Sequence, residues 1–344
     1  MESQFMSDAV VCHESFPSKS DFQSQTEAFK IGHGVALAHH GELLQGVSEG
    51  ADGRLKRVLV SIPCGIFRSE ATFIPNDSDV VEVEPKWKVK SCRAVTLALS
   101  SLGKHNCGGR VQIRSNIPVG WGLGSSTSDV TAAIRATTDA LSEHAAPHKI
   151  AALAVRAETA CDSTMFGERM VLFAQREGTV VEDFRSSLPK LEILGFNTSP
   201  NGNGIDTIGF PPARYSWWEI EAFRPMVGLL RRAVQLRSPQ LLGQVSSASA
   251  TINQHYLPKP HFQDLKEISK EVGAVGLQVA HTGTVAGLLF DPDNPLKESR
   301  IEQAQTLLTS IGIKHRWVFQ TSENGLTHAK NGNGNGNGND HGNN

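Results

Sequence analysis

No apolar run in the 344 residues approaches the roughly 20 that a membrane-spanning helix needs. The opening stretch, Met1 to Ser20, is polar and lacks the apolar core of a secretion signal. Basic residues are not in excess: 33 Lys and Arg face 35 Asp and Glu, for a formal net charge of −2. Nothing therefore argues for nucleic acid, and any phosphate-binding charge must be local. The five cysteines, at 12, 64, 92, 107 and 161, include no C-x-x-C pair. Their odd number and scatter signal neither a zinc knuckle nor a disulfide framework, and they read as reduced thiols of a cytoplasmic protein. Among 13 histidines, His144 and His148 have a four-residue spacing, but Pro147 interrupts the helix that would align them as ligands.

What is present suits a folded protein with a real core: 39% of residues are hydrophobic and 20% charged. The length allows two domains. Residues 1–29 are polar and rich in Ser and Gln, and are expected to be loosely ordered. Residues 326–344 end in an Asn/Gly repeat with nothing to bury, expected to be disordered. Between them, 30–185 and 186–325 form two expected domains. In the first, strands are predicted at 33–39, 57–62, 66–74, 79–84, 110–115, 170–174 and 179–183, with helices near 91–102, 126–143 and 148–160. In the second, strands are predicted at 190–196, 274–280, 284–290 and 314–320, with helices near 217–236, 239–253, 262–272 and 297–311. The segment 197–214 is crowded with turn formers. Interleaved helices and strands make the fold class α+β.

The most informative stretch is Pro118-Val-Gly-Trp-Gly-Leu-Gly-Ser-Ser-Thr-Ser-Asp129. Gly120, Gly122 and Gly124 strip side chains from a loop. Ser125, Ser126, Thr127, Ser128 and Asp129 then offer oxygens that could cap a helix, and Val130, Ile134 and Leu141 lie on roughly one face of it. A glycine loop feeding a helix N-terminus presents backbone N–H groups and partial positive charge, which suits a phosphate. No Lys follows the glycines, so this is not a Walker loop. No H-R-D or D-F-G segment accompanies it, so it is not the protein-kinase glycine loop.

The stretch resembles the second motif of the GHMP kinases, the family of galactokinase, homoserine kinase and mevalonate kinase. Pro118, Gly122, Leu123, Gly124, Ser125 and Ser126 match it, with Thr127 in its small-residue place. Two more segments fall in the family's order. Gly34 to Gly46 is an apolar strand expected to end at Gly41-Glu42, before a turn-rich stretch from Ser48 to Gly53. Gly273 to Leu289 is an apolar strand broken at His281-Thr282-Gly283-Thr284. The forms Gly-Glu-Leu-Leu-Gln-Gly, Ser-Ser-Thr-Ser-Asp and Ala-His-Thr-Gly-Thr resemble the bacterial L-threonine kinase branch, which serves cobalamin side-chain synthesis.

This resemblance implies a two-domain fold, an N-terminal domain like domain 2 of ribosomal protein S5 and a ferredoxin-like C-terminal domain, with the site in the cleft between. It implies ATP and Mg²⁺, with Pro118, Gly120, Gly122, Leu123, Gly124, Ser125, Ser126 and Thr127 around the phosphates. Ser126 and Glu158 would hold the metal, and Asp162 would assist the attacking hydroxyl as base, orienter or ammonium anchor. Glu42, His281, Thr282, Gly283 and Thr284 would bound the acceptor pocket. The acceptor would be L-threonine or a related hydroxy compound such as homoserine. A binding protein of the same fold without turnover is the non-enzymatic alternative. Arg156 and Arg169 flank Glu158 and Asp162 without an assigned role, and Lys86-Trp87-Lys88 could border a purine or simply start an exposed helix.

Overall fold

The first two strands are longer than their residues suggest. In the computed structural model, which describes residues 30–199, 214–281 and 283–321, β1 runs Gly32–Glu49 and β2 runs Leu55–Asn76 as antiparallel partners. The expected strand therefore does not stop at Gly41-Glu42, and the expected pair 57–62 and 66–74 is one strand. Register shifts between Leu37 and Ala38, His39 and Glu42, and Glu42 and Leu44 bend β1 without ending its pairing. Beyond the bend Leu43 and Leu44 are fully buried, which holds the strand in place. The expected loose segments 1–29 and 326–344, Thr282 and most of the turn-rich 197–214 lie outside the described residues.

β3 (Val81–Glu84) and β4 (Gly108–Ser115) pair in parallel, and α1 (Val89–Ser101) supplies the crossover that parallel pairing demands. α2 (Ser125–Ala140) then lies tightly along β1. Small residues permit that approach: a Cβ at Gly34 would fall 2.1 Å from the carbonyl of Ala132. Most of the helix is enclosed, with Val130, Ala133, Ile134 and Ala136 inaccessible. α3 (Pro147–Glu158) begins with proline at its first position, where the missing N–H costs nothing. β5 (Arg169–Ala174) and β6 (Thr179–Ser187) form a hairpin that joins β2 near Val58 and Leu59.

The second half runs β7 (Glu192–Asn197), α4 (Trp217–Leu236), α5 (Pro239–Asn253), α6 (Phe262–Glu271), β8 (Gly276–Val279), β9 (Val285–Phe290), α7 (Lys297–Ser310) and β10 (Arg316–Gln320). Its strand order, β10-β7-β9-β8, is the ferredoxin-like one. α4 starts with a reciprocal box in which Ser216 and Glu219 satisfy each other's backbone N–H. β8 meets β1 at the single pair Glu42–Val279, so one sheet runs through both halves. The bent middle of β1 therefore carries residues of the first motif to the junction between them.

No helix among the described residues is long and apolar enough to cross a membrane. Cys64, Cys92, Cys107 and Cys161 are buried free thiols, and Cys12 lies outside the described residues.

Candidate active site

The glycine loop has the conformation that its composition demands. Gly120, Gly122 and Gly124 have φ of 81°, 87° and 72°, a region that side chains disfavour. Gly124 precedes the first turn of α2, and no side chain caps that turn. The first backbone N–H to enter the helical ladder is that of Ser128, which donates to the Gly124 carbonyl at 2.9 Å. The N–H groups before it are the ready-made donors of a helix start.

The hydroxyls and the carboxylate expected to cap this helix are used elsewhere. Ser126 Oγ donates to Glu158 Oε2 at 2.6 Å and Thr127 Oγ1 donates to Glu158 Oε1 at 2.7 Å. Ser128 Oγ donates to the Leu37 carbonyl at 2.9 Å. Asp129 accepts from Ser69 Oγ at 2.6 Å and pairs with the buried ammonium of Lys88. Lys88 thus ties the start of α1 to α2 and does not border a purine as a surface cation. Trp87 remains 61% exposed beside it.

The three sequence motifs meet at this loop. The His39 N–H donates to the Leu123 carbonyl at 3.2 Å, and the N–H groups of Thr284 and Val285 both donate to the Trp121 carbonyl at 3.0 Å. The His281 N–H donates to Glu42 Oε2 at 2.7 Å. Gly283 has φ of 88°, and a Cβ there would lie 2.2 Å from the Trp121 carbonyl carbon. Thr284, just before β9, is thereby a wall of the glycine loop, and Gly283 packs against it.

Glu158 and Asp162 approach the loop from one side, though not as neighbours on a helix. α3 ends at Glu158, two residues before the expected 160, because Thr159 takes a positive φ of 74°. Asp162 follows in the next turn, where its N–H donates to Thr127 Oγ1 at 3.3 Å. Burial pushes the Glu158 carboxyl up to about 7, against the pull of the Ser126 and Thr127 hydroxyls. Lys90 Nζ stands 3.9 Å from Glu158 Oε2. Hydroxyl and carboxylate oxygens are the hard ligands that Mg²⁺ prefers, so Ser126 and Glu158 fit that ion.

Asp162 has a partner that sequence reasoning missed. His39 Nε2 stands 3.0 Å from Asp162 Oδ2, and His39 Nδ1 stands 3.5 Å from Glu42 Oε1. Burial opposes a charge on His39, but the flanking carboxylates outweigh it and hold the ring up at about 9. Burial likewise opposes the Asp162 charge, yet His39 keeps that carboxyl below its ordinary value. Glu42 is pushed up to about 7 by burial, with His39 pulling the other way. Ligand atoms of these three side chains lie within 4.8 Å of one another, close enough to share an ion. Between the two acids the ring is held protonated, as an imidazolium bridge. A further wall is His281, whose ring burial drives down to about 4.

The side chains named from sequence thus divide into distinct positions. Ser126, Thr127, Glu158 and Asp162 converge. Glu42 turns inward, its side chain 1% exposed, and reaches Asp162 through His39. Leu123 belongs to the core and contributes its carbonyl, while Pro118 and Ser125 lie half-buried along the loop. Thr284 is buried, with its carbonyl accepting from Thr198. Arg169 pairs with Asp183 at 3.0 Å, and Arg156 is exposed. His39 had a legible signal, its place two residues before Gly41-Glu42. Lys90 had none.

Residues 89–167 match the family profile of the GHMP kinases N terminal domain. This span runs from α1 past Asp162. The fold is that of GHMP kinases: homoserine kinase from Cytophaga hutchinsonii superposes with a TM-score of 0.65 at 16% identity, covering 90% of this chain and all of that one. Residues 89–167 thus match the N-terminal domain of the GHMP kinases, and the described residues have the fold of those kinases.

In sequence the chain is similar to two L-threonine kinases. That of Salmonella typhimurium is 30% identical over 182 residues, 53% of this chain and 60% of the relative. That of Citrobacter freundii is 27% identical over 222 residues, 61% of this chain and 71% of the relative. The matches thus span about three fifths and seven tenths of the relatives' lengths.

Proposed function

We propose that this protein is an ATP-dependent phosphotransferase acting on the hydroxyl of a small acceptor, and that the acceptor is L-threonine. The observation that carries the reading is the convergence of Glu158 and Asp162 on the uncapped start of α2, each tied to a hydroxyl of Ser126 or Thr127. The choice of threonine is supported by the likeness to L-threonine kinases. Free cysteines and a need for ATP support a cytoplasmic setting.

Phosphoryl transfer asks mostly for positioning and charge neutralisation. The N–H groups after Gly122 and Gly124 receive phosphate oxygens, with the α2 dipole adding favourable potential. Mg²⁺, held by Ser126 and Glu158, would neutralise charge on those oxygens. Asp162, a fifth exposed, orients the acceptor hydroxyl and takes its proton as the new bond forms. His39 holds one oxygen of Asp162 in place, so the carboxylate meets the hydroxyl in a fixed orientation.

ADP release from Mg²⁺–ATP, measured with L-threonine, L-serine, L-homoserine, mevalonate and galactose, tests the reading. Threonine should be the best acceptor, and Asp162→Asn should lower kcat by about 10²- to 10⁴-fold. A preference for another acceptor corrects the substrate. ATP binding with no turnover on any hydroxyl compound points to a ligand sensor and overturns the enzyme.

A further inference from the structure

A buried lysine with no carboxylate at ion-pair distance among the described residues stands behind the third motif. Lys259 lies between Pro258 and Pro260 in the segment joining α5 to α6, and it is 5% exposed. Its Nζ donates to the Gly283 carbonyl at 2.7 Å. Among the described residues no carboxylate lies within ion-pair distance of it. Burying an ammonium costs more than one neutral carbonyl returns, so the site is incomplete without an anion.

The surroundings say which side of the site that anion enters. Glu42 acts on Lys259 through its charge, and Lys259 acts on His281. Glu42 stands beyond ion-pair distance of Lys259, with Oε2 accepting from the His281 N–H and Oε1 3.5 Å from His39 Nδ1. The cation near the metal-binding pair is a different one, Lys90. Lys259 therefore belongs with the motif-one and motif-three residues, away from Ser126 and Glu158. One N–H of its ammonium is engaged by Gly283, which leaves two for a ligand.

We propose that Lys259 binds the carboxylate of the acceptor, so that the substrate is a hydroxy acid or hydroxy amino acid and not a neutral polyol. The inference rests on the kinase reading and narrows its substrate class. The Asp162 carboxylate and the Lys259 ammonium then complement the two charges of a zwitterion.

The test pairs a residue deletion with a ligand deletion, using the full-length protein. L-threonine is compared with 1-amino-2-propanol, the same skeleton without its carboxylate, in wild type, Lys259→Met and Lys259→Arg. Lys259→Met should raise KM for threonine by about 100-fold, the usual scale for a lost charge-assisted contact, and leave KM for ATP within about threefold. It should lose the wild-type preference for threonine over the amino alcohol, and Lys259→Arg should keep most of that preference. Calorimetric titration with L-threonine reads the same site without turnover, with binding to wild type and none to Lys259→Met. Equal losses on both acceptors would overturn the proposal, since they mean that Lys259 merely steadies Gly283. A rise in KM for ATP alone would also overturn it and assign the ammonium to a phosphate. Turnover of galactose with no binding of threonine would sink this inference and leave the kinase standing. An absence of all turnover beside threonine binding that needs Lys259 would sink the kinase reading and leave the carboxylate site standing.

Discussion

His39 Nε2 lies 3.0 Å from Asp162 Oδ2, with the ring 4% exposed and Gly124 packed against it. The imidazole thereby fixes the orientation of Asp162, the acid proposed to face the acceptor. Replacing it by glutamine should misplace that acid and lower kcat by about 10²-fold, with KM for ATP nearly unchanged. A stopped-flow or coupled ADP assay reads the two constants separately. A parallel rise in KM for ATP would instead mean that His39 supports the phosphate loop through its N–H bond to Leu123.

The pH profile should have two limbs of different origin. Glu158, pushed up to about 7 by burial, must lose its proton to serve as a metal ligand, so kcat/KM should rise through that region. Metal competes with that proton, so raising Mg²⁺ should move the acid limb to lower pH. The alkaline limb comes from His39 at about 9, and Mg²⁺ should not move it. Profiles at two Mg²⁺ concentrations check both statements, and His39→Gln should lose the alkaline limb.

The same histidine couples to stability. Its folded value, about 9, lies above the ordinary 6.5, so the folded protein binds this proton more tightly than the unfolded chain. The stabilisation is complete below about 6.5 and is lost as pH rises through about 9. Denaturant melts between pH 6 and 9.5 should show wild type losing stability faster than His39→Gln over that window.

Gly124 leaves no room for a side chain. A Cβ would lie 2.3 Å from His39 Cδ2 and 3.0 Å from Asp162 Oδ2, on a backbone at φ of 72°. Gly124→Ala should abolish most activity by displacing His39, beyond the roughly 1 kcal/mol of backbone strain. A variant with wild-type kcat would show that the ring tolerates displacement.

Lys88 and Asp129 form a buried pair, their side chains 6% and 7% exposed. Lys88→Met leaves Asp129 with Ser69 Oγ as its hydrogen-bond partner and an uncompensated charge inside the protein. A loss of about 3–5 kcal/mol in unfolding free energy is expected. Replacing both residues by apolar ones of similar size should recover much of it, measurable by urea denaturation.

Local rules account for much of what the sequence made readable. Glycine at 120, 122 and 124 anticipates a loop that only glycine adopts comfortably, and the helices at 217–236 and 239–253 have the bounds their periodicity predicts. The strands of the first half were harder. Bulges in β1 are set by its pairing with β2, and pairing is a long-range relation that no local pattern carries. The helix-start hydroxyls fooled local reasoning for a related reason. Ser126 and Thr127 could accept from N–H groups of their own helix, but their hydroxyls instead donate to a buried carboxylate from α3, a strong charge-assisted bond.

The adjacent residues His39 and His40 show the division most plainly. By itself the sequence determined that two histidines precede Gly41-Glu42 on an apolar strand, that a glycine loop and a helix follow later in the chain, and that a second glycine turn comes later still. It could not distinguish the rings, because alternation merely sends neighbours to opposite faces. The tertiary structure set one ring between Glu42 and Asp162, where two carboxylates keep it charged. It set the other against Gln278, Trp317 and Phe319, where burial drives it down to about 3 and keeps it neutral. Residue type supplied the same imidazole twice, and the charges brought near each ring by distant parts of the chain decided what it can do.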